Sequence, residues 1–252
     1  MRGLAGKSVL VTGGGSGIGR ATALLLGESG CRLLIADLSQ DSAERVCAEV
    51  VANGGEARAF RADVGSEEDV RAMIDTAVAA FGGLQGAVNA AGVPQVGKLL
   101  HDVEIDEWDR CHRVNLRGLF LCNKYEVTAM LGGSGGSIVN IASTAAMVGF
   151  PNGSEYCASK AGVMGLVRGG AIDYATKGIR INAVLPGGTL TPMLEGAMAN
   201  DPGLERALAA VHPMNRFGQP EEIAATARFL ISDEASFVTG AAYAVDGGHT
   251  CI

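Results

Sequence analysis

The sequence predicts a doubly wound parallel α/β sheet of about seven strands with helices on both faces. Three observations carry that expectation. Short apolar runs alternate with helical patterns along the whole chain, an order that requires right-handed crossovers and a sheet covered on both sides. A glycine cluster, Gly13-Gly14-Gly15-Ser16-Gly17-Ile18-Gly19, sits where the first apolar run meets the first helical pattern. The 252 residues are 48% apolar and 19% charged, enough for one large core, and no linker, composition break or internal repeat divides them. One domain spanning residues 1–252 follows.

In chain order, residues 7–12 (Lys-Ser-Val-Leu-Val-Thr) read as the first strand, and Ala21, Leu24 and Leu25 mark the helix after it. Residues 31–36 form the second apolar run, ending at Asp37, and residues 43–51 the second helix. A weaker strand covers 56–61. The helix over 66–81 has Ser66 as its cap and acids at 67–69 in its first turn. Strands are expected over 84–89 and 137–142, separated by helical stretches across roughly 104–131. A long helix begins near Ser154 and runs to about Lys177; a strand over 179–185, a helix over 220–232 and a short strand over 241–245 complete the pattern.

Composition excludes several functions. The formal net charge is −7 with no basic run, which argues against nucleic acid and anionic membrane as partners. The six cysteines are scattered with no Cys-x-x-Cys pair, and the four histidines share no ligand spacing, so no metal site is expected. Residues 129–154 carry no charge, but Gly, Ser, Asn and Pro interrupt them too often for a membrane span. Arg2 and Lys7 leave no secretory apolar segment between them. A soluble protein of the reducing cytoplasm is the expectation.

Two constellations carry chemistry. The glycine turn lets backbone N–H groups and a helix N-terminus approach a pyrophosphate, and the absence of Gly-Lys-Ser/Thr excludes a triphosphate P-loop. Asp37, 18 residues past Gly19, can accept hydrogen bonds from ribose hydroxyls; a cap on the helix beginning near Ser39 is its alternative. Farther on, Tyr156 and Lys160 stand four apart on one helix face. Lowering a tyrosine pKa of about 10 by two to three units takes roughly 3 to 4 kcal/mol. One ammonium at about 4 Å supplies about 4 kcal/mol at an effective dielectric near 20, so Lys160 is expected to make Tyr156 an acid/base near pH 7.

Thr12-Gly-x-x-x-Gly-x-Gly19, Asn89-Ala-Ala-Gly92, Asn115, Ser143, Tyr156-x-x-x-Lys160 and Pro186-Gly187 together resemble the short-chain dehydrogenase/reductase family in order and spacing, over the whole chain. The resemblance implies a Rossmann-type fold and an NAD-dependent oxidoreductase acting on a ketone or secondary alcohol. It implies that Tyr156 is the acid/base, that Lys160 holds the nicotinamide ribose, and that Ser143 hydrogen-bonds the substrate oxygen. Asn115, inside a helix, would disturb local hydrogen bonding and link Lys160 to solvent through a water. For the cofactor it implies Gly13, Ser16, Gly17, Ile18 and Gly19 at the pyrophosphate turn, with Asp37 and Leu38 at the ribose. Asp63 and Val64 would flank the adenine, Asn89, Ala90 and Gly92 the adenosine side, Val114 the nicotinamide ribose, and Pro186, Gly187, Thr189 and Thr191 the carboxamide.

Residues 190–218 are expected to form a movable, apolar cover through Met193, Leu194, Met198, Leu204, Leu208, Val211 and Met214. With Pro94, Val96, Ala145 and Val148 at the mouth, the site suits a weakly polar substrate. Asn215-Arg-Phe-Gly-Gln-Pro-Glu-Glu222 is similar to 3-oxoacyl-(acyl carrier protein) reductases, whose acidic carrier calls for a basic patch; Lys124, Arg168 and Lys177 are the candidates. A non-catalytic nucleotide sensor is the third reading, disfavoured by the intact Ser143–Tyr156–Lys160 set. Small residues at Ala161, Gly162, Gly165, Gly169 and Gly170 invite a partner helix, and the resemblance adds a second interface over 241–252, so a homotetramer is expected.

Overall fold

In the computed structural model, which describes residues 1–198 and 202–251, seven strands lie side by side in the order β3-β2-β1-β4-β5-β6-β7. They are β1 (Ser8–Thr12), β2 (Arg32–Asp37), β3 (Glu56–Arg61), β4 (Gly86–Asn89), β5 (Gly136–Ile141), β6 (Ile179–Pro186) and β7 (Ala242–Val245). Every pairing is parallel. The alternation within β1 shows why its sequence is apolar throughout. Val9 and Val11 pack into one core layer and Leu10 into the other, so both faces of the strand are buried.

Helices α1 (Gly17–Glu28) and α2 (Gln40–Ala52) cover the Val9 side, and α3 (Glu67–Phe81) the opposite one. Ser66 caps α3 by accepting the Asp69 N–H, and Gly82 ends it in the left-handed conformation. The predicted helical stretch after β4 resolves into α4 (Ile105–His112), a π turn (Arg113–Gly118) and α5 (Leu119–Leu131). Asn115 sits inside that π turn. The long helix α6 (Ser154–Tyr174) ends in a 3-10 turn, and α9 (Pro220–Ile231) starts with proline in its first turn and a Gln219/Glu222 capping box.

Two helices in the cover, α7 (Pro192–Met198) and α8 (Pro202–Ala210), have no counterpart in the sequence expectation. Residues 199–201 of the cover, the side chain of Leu204 and the terminal Ile252 lie outside the described residues. Among the described residues no helix is long and apolar enough to cross a membrane.

Strand order reverses between β1 and β4, and the crevice outside their carboxyl ends is where such sheets take ligands. Beneath it lies a buried polar network. Asn89 donates to Glu126 at 3.0 Å and to Asn140 at 3.1 Å, and Asn123 and Asn140 exchange amide bonds at 2.9 and 3.1 Å. Burial pushes the Glu126 carboxyl up to about 8 from an ordinary 4.5, and the Asn89 bond only partly offsets it. Between those values the folded protein keeps a proton that the unfolded chain releases. Stability therefore falls as pH rises through this window, by up to about 1.4 kcal/mol per unit. Glu126→Gln keeps the acceptor for Asn89 and removes the titration. Its melting temperature should match wild type near pH 5 and exceed it by several degrees at pH 8. A difference independent of pH would contradict this.

Candidate active site

At the carboxyl ends of the strands opens a cleft of about 660 Å³ that runs from the β1–α1 turn to the start of α6. Of the residues singled out in the sequence, Gly13, Ser16, Gly17, Ile18, Gly19, Asp37, Leu38, Asp63, Val64, Ala90, Gly92, Val114, Ser143, Tyr156, Lys160, Pro186, Gly187, Thr189 and Thr191 all line it. Asn89 and Asn115 do not.

At the first end, β1 turns sharply at Gly13, whose φ is +63° and where a Cβ would stand 2.7 Å from the Ala91 Cα. Only glycine allows the β1 turn and the end of β4 to approach so closely. Ser16 is the exposed N-cap of α1, in extended conformation with no side-chain cap bond, so the first-turn N–H groups of α1 are available to an anion. Asp37 turns inward. Its Oδ2 accepts the Gly15 N–H at 2.9 Å and its Oδ1 accepts the Ser39 N–H at 3.0 Å. The cap of α2 is Ser39 itself, whose hydroxyl accepts the Ser42 N–H. Leu38 beside it is 63% exposed.

Next along the cleft, Asp63 pairs with Arg113 at 2.8 Å. Burial works against its charge, but Arg113 and the Gly65 N–H prevail and hold its carboxyl below the usual range. Val64 is buried beside it. Asn89, expected on the adenosine side, buries its side chain in the polar network, where its amide N–H groups donate to Glu126 and Asn140. Ala90 and Gly92, one and three residues on, are what the strand end presents to the cleft.

The reacting end is built by β5, α6 and the π turn. Ser143 begins a 3-10 turn and accepts the Ala145 N–H at 3.1 Å, which leaves its own hydrogen free to donate. Lys160 stands one turn beyond Tyr156, is 5% exposed, donates to the Ile141 carbonyl at 3.1 Å, and holds its ammonium 5.6 Å from the centre of the Tyr156 ring. Burial pushes the Tyr156 phenol up to about 12, partly offset by a hydrogen bond with Ser143. Burial likewise draws the Lys160 ammonium down to about 8. In place of the downward shift expected from one lysine, burial moves the phenol upward. Tyr156 lies half-buried in the cleft, where lost hydration of a phenolate, with Cys111 and Cys157 beside it, outweighs the Ser143 bond.

Asn115 is buried behind Lys160. Its amide accepts the Val93 N–H at 2.8 Å and donates to the Val93 carbonyl at 3.0 Å, so it fixes the loop after β4. Glu155 does the same from the other side: fully buried, it accepts the Val96 N–H at 2.8 Å.

Of the expected apolar mouth, Pro94, Met193, Leu194 and Leu208 line the cleft. Val96, Ala145, Val148, Met198, Val211 and Met214 do not; Met214, for one, packs against Gly247 in the tail. Phe150, Gln95, Arg110 and Arg113 line it without having been singled out in the sequence. Arg110 was accessible from spacing alone, since it lies one turn before Val114 on the same helix face. His212 is 4% exposed and accepts the Gly188 N–H at 2.9 Å; nothing in the sequence pattern marks it.

A protein-family model described as enoyl-(acyl carrier protein) reductase matches residues 13–250. The chain is 49% identical over 253 residues to 2,5-dichloro-2,5-cyclohexadiene-1,4-diol dehydrogenase of Sphingobium indicum, covering all of both chains. It is 44% identical over 244 residues to cyclohexanol dehydrogenase of an Acinetobacter species, covering 97% of this chain and 95% of that one. Among solved structures, levodione reductase superposes with a TM-score of 0.94 at 37% identity, over 98% of each chain. With the motifs in order along the chain, the parallel sheet reversing at β1/β4 and these likenesses over nearly its full length, the chain belongs to the short-chain dehydrogenase/reductase family.

Proposed function

We propose that this protein is an NAD(H)-dependent dehydrogenase that interconverts secondary alcohols on a six-membered carbocycle with the corresponding ketones, in the cytoplasm and as a homotetramer. The observation that carries this reading is that one cleft joins Ser143, Tyr156 and Lys160 at its floor to the α1 N-terminus and Asp37 at its far end. That length and donor set fit a dinucleotide: N–H groups for the pyrophosphate, a carboxylate for the adenosine ribose, and main chain around Pro186–Gly187 for the carboxamide. When bound, the cofactor supplies or accepts the hydride.

The chain's own groups handle the proton and the position. Tyr156, with its phenol pushed up to about 12, is protonated at neutral pH and so stands ready as the acid in ketone reduction. The Ser143 hydroxyl, which also bonds the Tyr156 phenol, directs the substrate oxygen to the same point and stabilises charge developing there. Lys160, at about 8, is mostly charged at pH 7 and provides the cation a phenolate needs in the oxidative direction. Around them Val93, Pro94, Phe150, Met193, Leu194 and Leu208 give a weakly polar wall suited to a carbocycle. The names of the relatives support the ring specificity.

Acyl carrier protein substrates fit less well, because Lys124, one of the basic candidates, is tied to Glu67 at 2.9 Å. For self-association, Gly162 and Gly170 are occupied within the chain by Leu116 and Ile181, whereas Ala161, Gly165 and Gly169 leave an open stripe on α6. Light scattering at micromolar concentration tests the tetramer.

The activity is tested by following NAD reduction across cyclohexanol, cyclohexene diols, open-chain secondary alcohols and 3-hydroxyacyl thioesters. We expect kcat/KM for the ring alcohols to exceed the others at least tenfold. Preference for the thioester would move the reading to the acyl carrier class, and no reduction with any alcohol would favour a nucleotide sensor.

A further inference from the structure

We infer that His212 is a positioning residue that clasps the cover to the turn expected to hold the nicotinamide carboxamide, and that its Nε2 acceptor sets the shape of that turn for cofactor binding. The inference rests on the cofactor reading above. His212 follows α8 and is 4% exposed. Its Nδ1 lies 3.0 Å from the Leu208 carbonyl and its Nε2 2.9 Å from the Gly188 N–H. A carbonyl can only accept and an amide N–H can only donate, so both bonds together require the neutral ring with its hydrogen on Nδ1. Leu208 itself lines the cleft, so one imidazole joins a cleft-facing residue of α8 to the main chain of the turn after β6.

That turn is held on its other side as well. The Gly188 carbonyl accepts the Gly218 N–H at 2.9 Å, and Leu190 donates to the Gly218 carbonyl at 2.9 Å. The Gly188 N–H donates to His212 Nε2. Gly187 packs against the same ring: a Cβ there would stand 2.8 Å from Nε2. The imidazole is therefore both the partner and the template of the segment Gly187–Gly188.

Its orientation is fixed by a row of rings. His212 meets Phe217 edge-on at 6.3 Å and lies against His249 at 5.3 Å, and His249 stacks on cleft-lining Phe150 at 5.8 Å. His249 is anchored in turn by the tail, where Asp246 accepts the Gly248 N–H and both the N–H and the hydroxyl of Thr250. Tail, cover and turn thus meet at one side chain.

The test compares His212→Phe with His212→Gln. Phenylalanine keeps the ring contacts and removes the acceptor; glutamine restores an acceptor at the Nε2 position. A buried N–H left without its partner costs enough to weaken binding roughly tenfold. Calorimetric titration with NADH should show that loss in His212→Phe, and amide hydrogen exchange at Gly188 in nucleotide-free protein should accelerate at least as much. His212→Gln should stay within about threefold of wild type in both. Unchanged NADH affinity in His212→Phe, or equal loss in both variants, would overturn the role of Nε2. Wild-type protein failing to bind NADH at all would instead overturn the cofactor reading on which it rests.

Discussion

Tyr156→Phe is expected to lower kcat by at least a hundredfold while NADH affinity stays within about twofold of wild type. The substitution removes one oxygen and leaves the ring, so the first turn of α6 and its packing survive. What is lost is the phenol hydroxyl that stands with Ser143 and Lys160 at the cleft floor, and positioned acid/base groups contribute roughly a hundred- to ten-thousandfold. The nucleotide contacts proposed for the α1 N-terminus, Asp37 and the Gly187 turn lie elsewhere in the cleft, which is why binding should persist. Lys160→Ala should behave differently and impair both quantities, since its ammonium serves the proposed ribose contact as well as the phenol. Retention of a tenth of wild-type turnover in Tyr156→Phe would show that another group moves the proton.

The second large effect concerns cofactor choice. Wild-type protein should favour NAD(H) strongly over NADP(H), and the double change Asp37→Ser with Leu38→Arg should shift kcat/KM toward NADP by at least a few hundredfold. Asp37 faces the glycine turn, held by the N–H groups of Gly15 and Ser39, so its charge is fixed beside the proposed ribose position. A 2′-phosphate there would meet a like charge at close range, which costs on the order of 3 to 4 kcal/mol at an effective dielectric near 20. Its two immediate neighbours do not relieve it, and the Arg45 guanidinium is engaged with the Ser42 hydroxyl at 3.2 Å. Leu38 is neutral, Ser16 is neutral, and Arg32 sits at the opposite end of β2, where it donates to the Gly6 carbonyl. Because Leu38 is 63% exposed, arginine there disturbs no core. Equal turnover of both cofactors by wild type, or an unshifted double variant, would contradict the ribose role of Asp37.

Much of this architecture was legible because it is written in local pattern. The alternation Val9-Leu10-Val11 announces a strand buried on two faces, and the glycine turn followed by Asp37 fixes where the first crevice lies. The Tyr156/Lys160 spacing places two groups on one face whatever surrounds them. What surrounds them is not local. The pKa of Tyr156 is governed by how deep α6 sits, which spacing does not encode. The amide of Asn89 is claimed by Asn140 and Glu126, 51 and 37 positions away, partners that no local pattern marks. Helices α7 and α8 lie outside the sequence expectation because they are short, seven and nine residues, and Pro and Gly punctuate the stretch that holds them. His212 acts through Gly188, 24 residues earlier, a pairing only the folded chain reveals.

The central claim is that this cleft moves a hydride between a nicotinamide and a ring carbon while Tyr156 supplies the proton. The most direct measurement incubates the protein with cyclohexanone and NADH carrying deuterium at both nicotinamide C4 positions, then locates the label by mass spectrometry and NMR. The account predicts cyclohexanol carrying deuterium at the carbinol carbon, formed by wild type and not by Tyr156→Phe. Unlabelled cyclohexanol, or label transferred equally well by Tyr156→Phe, would contradict it.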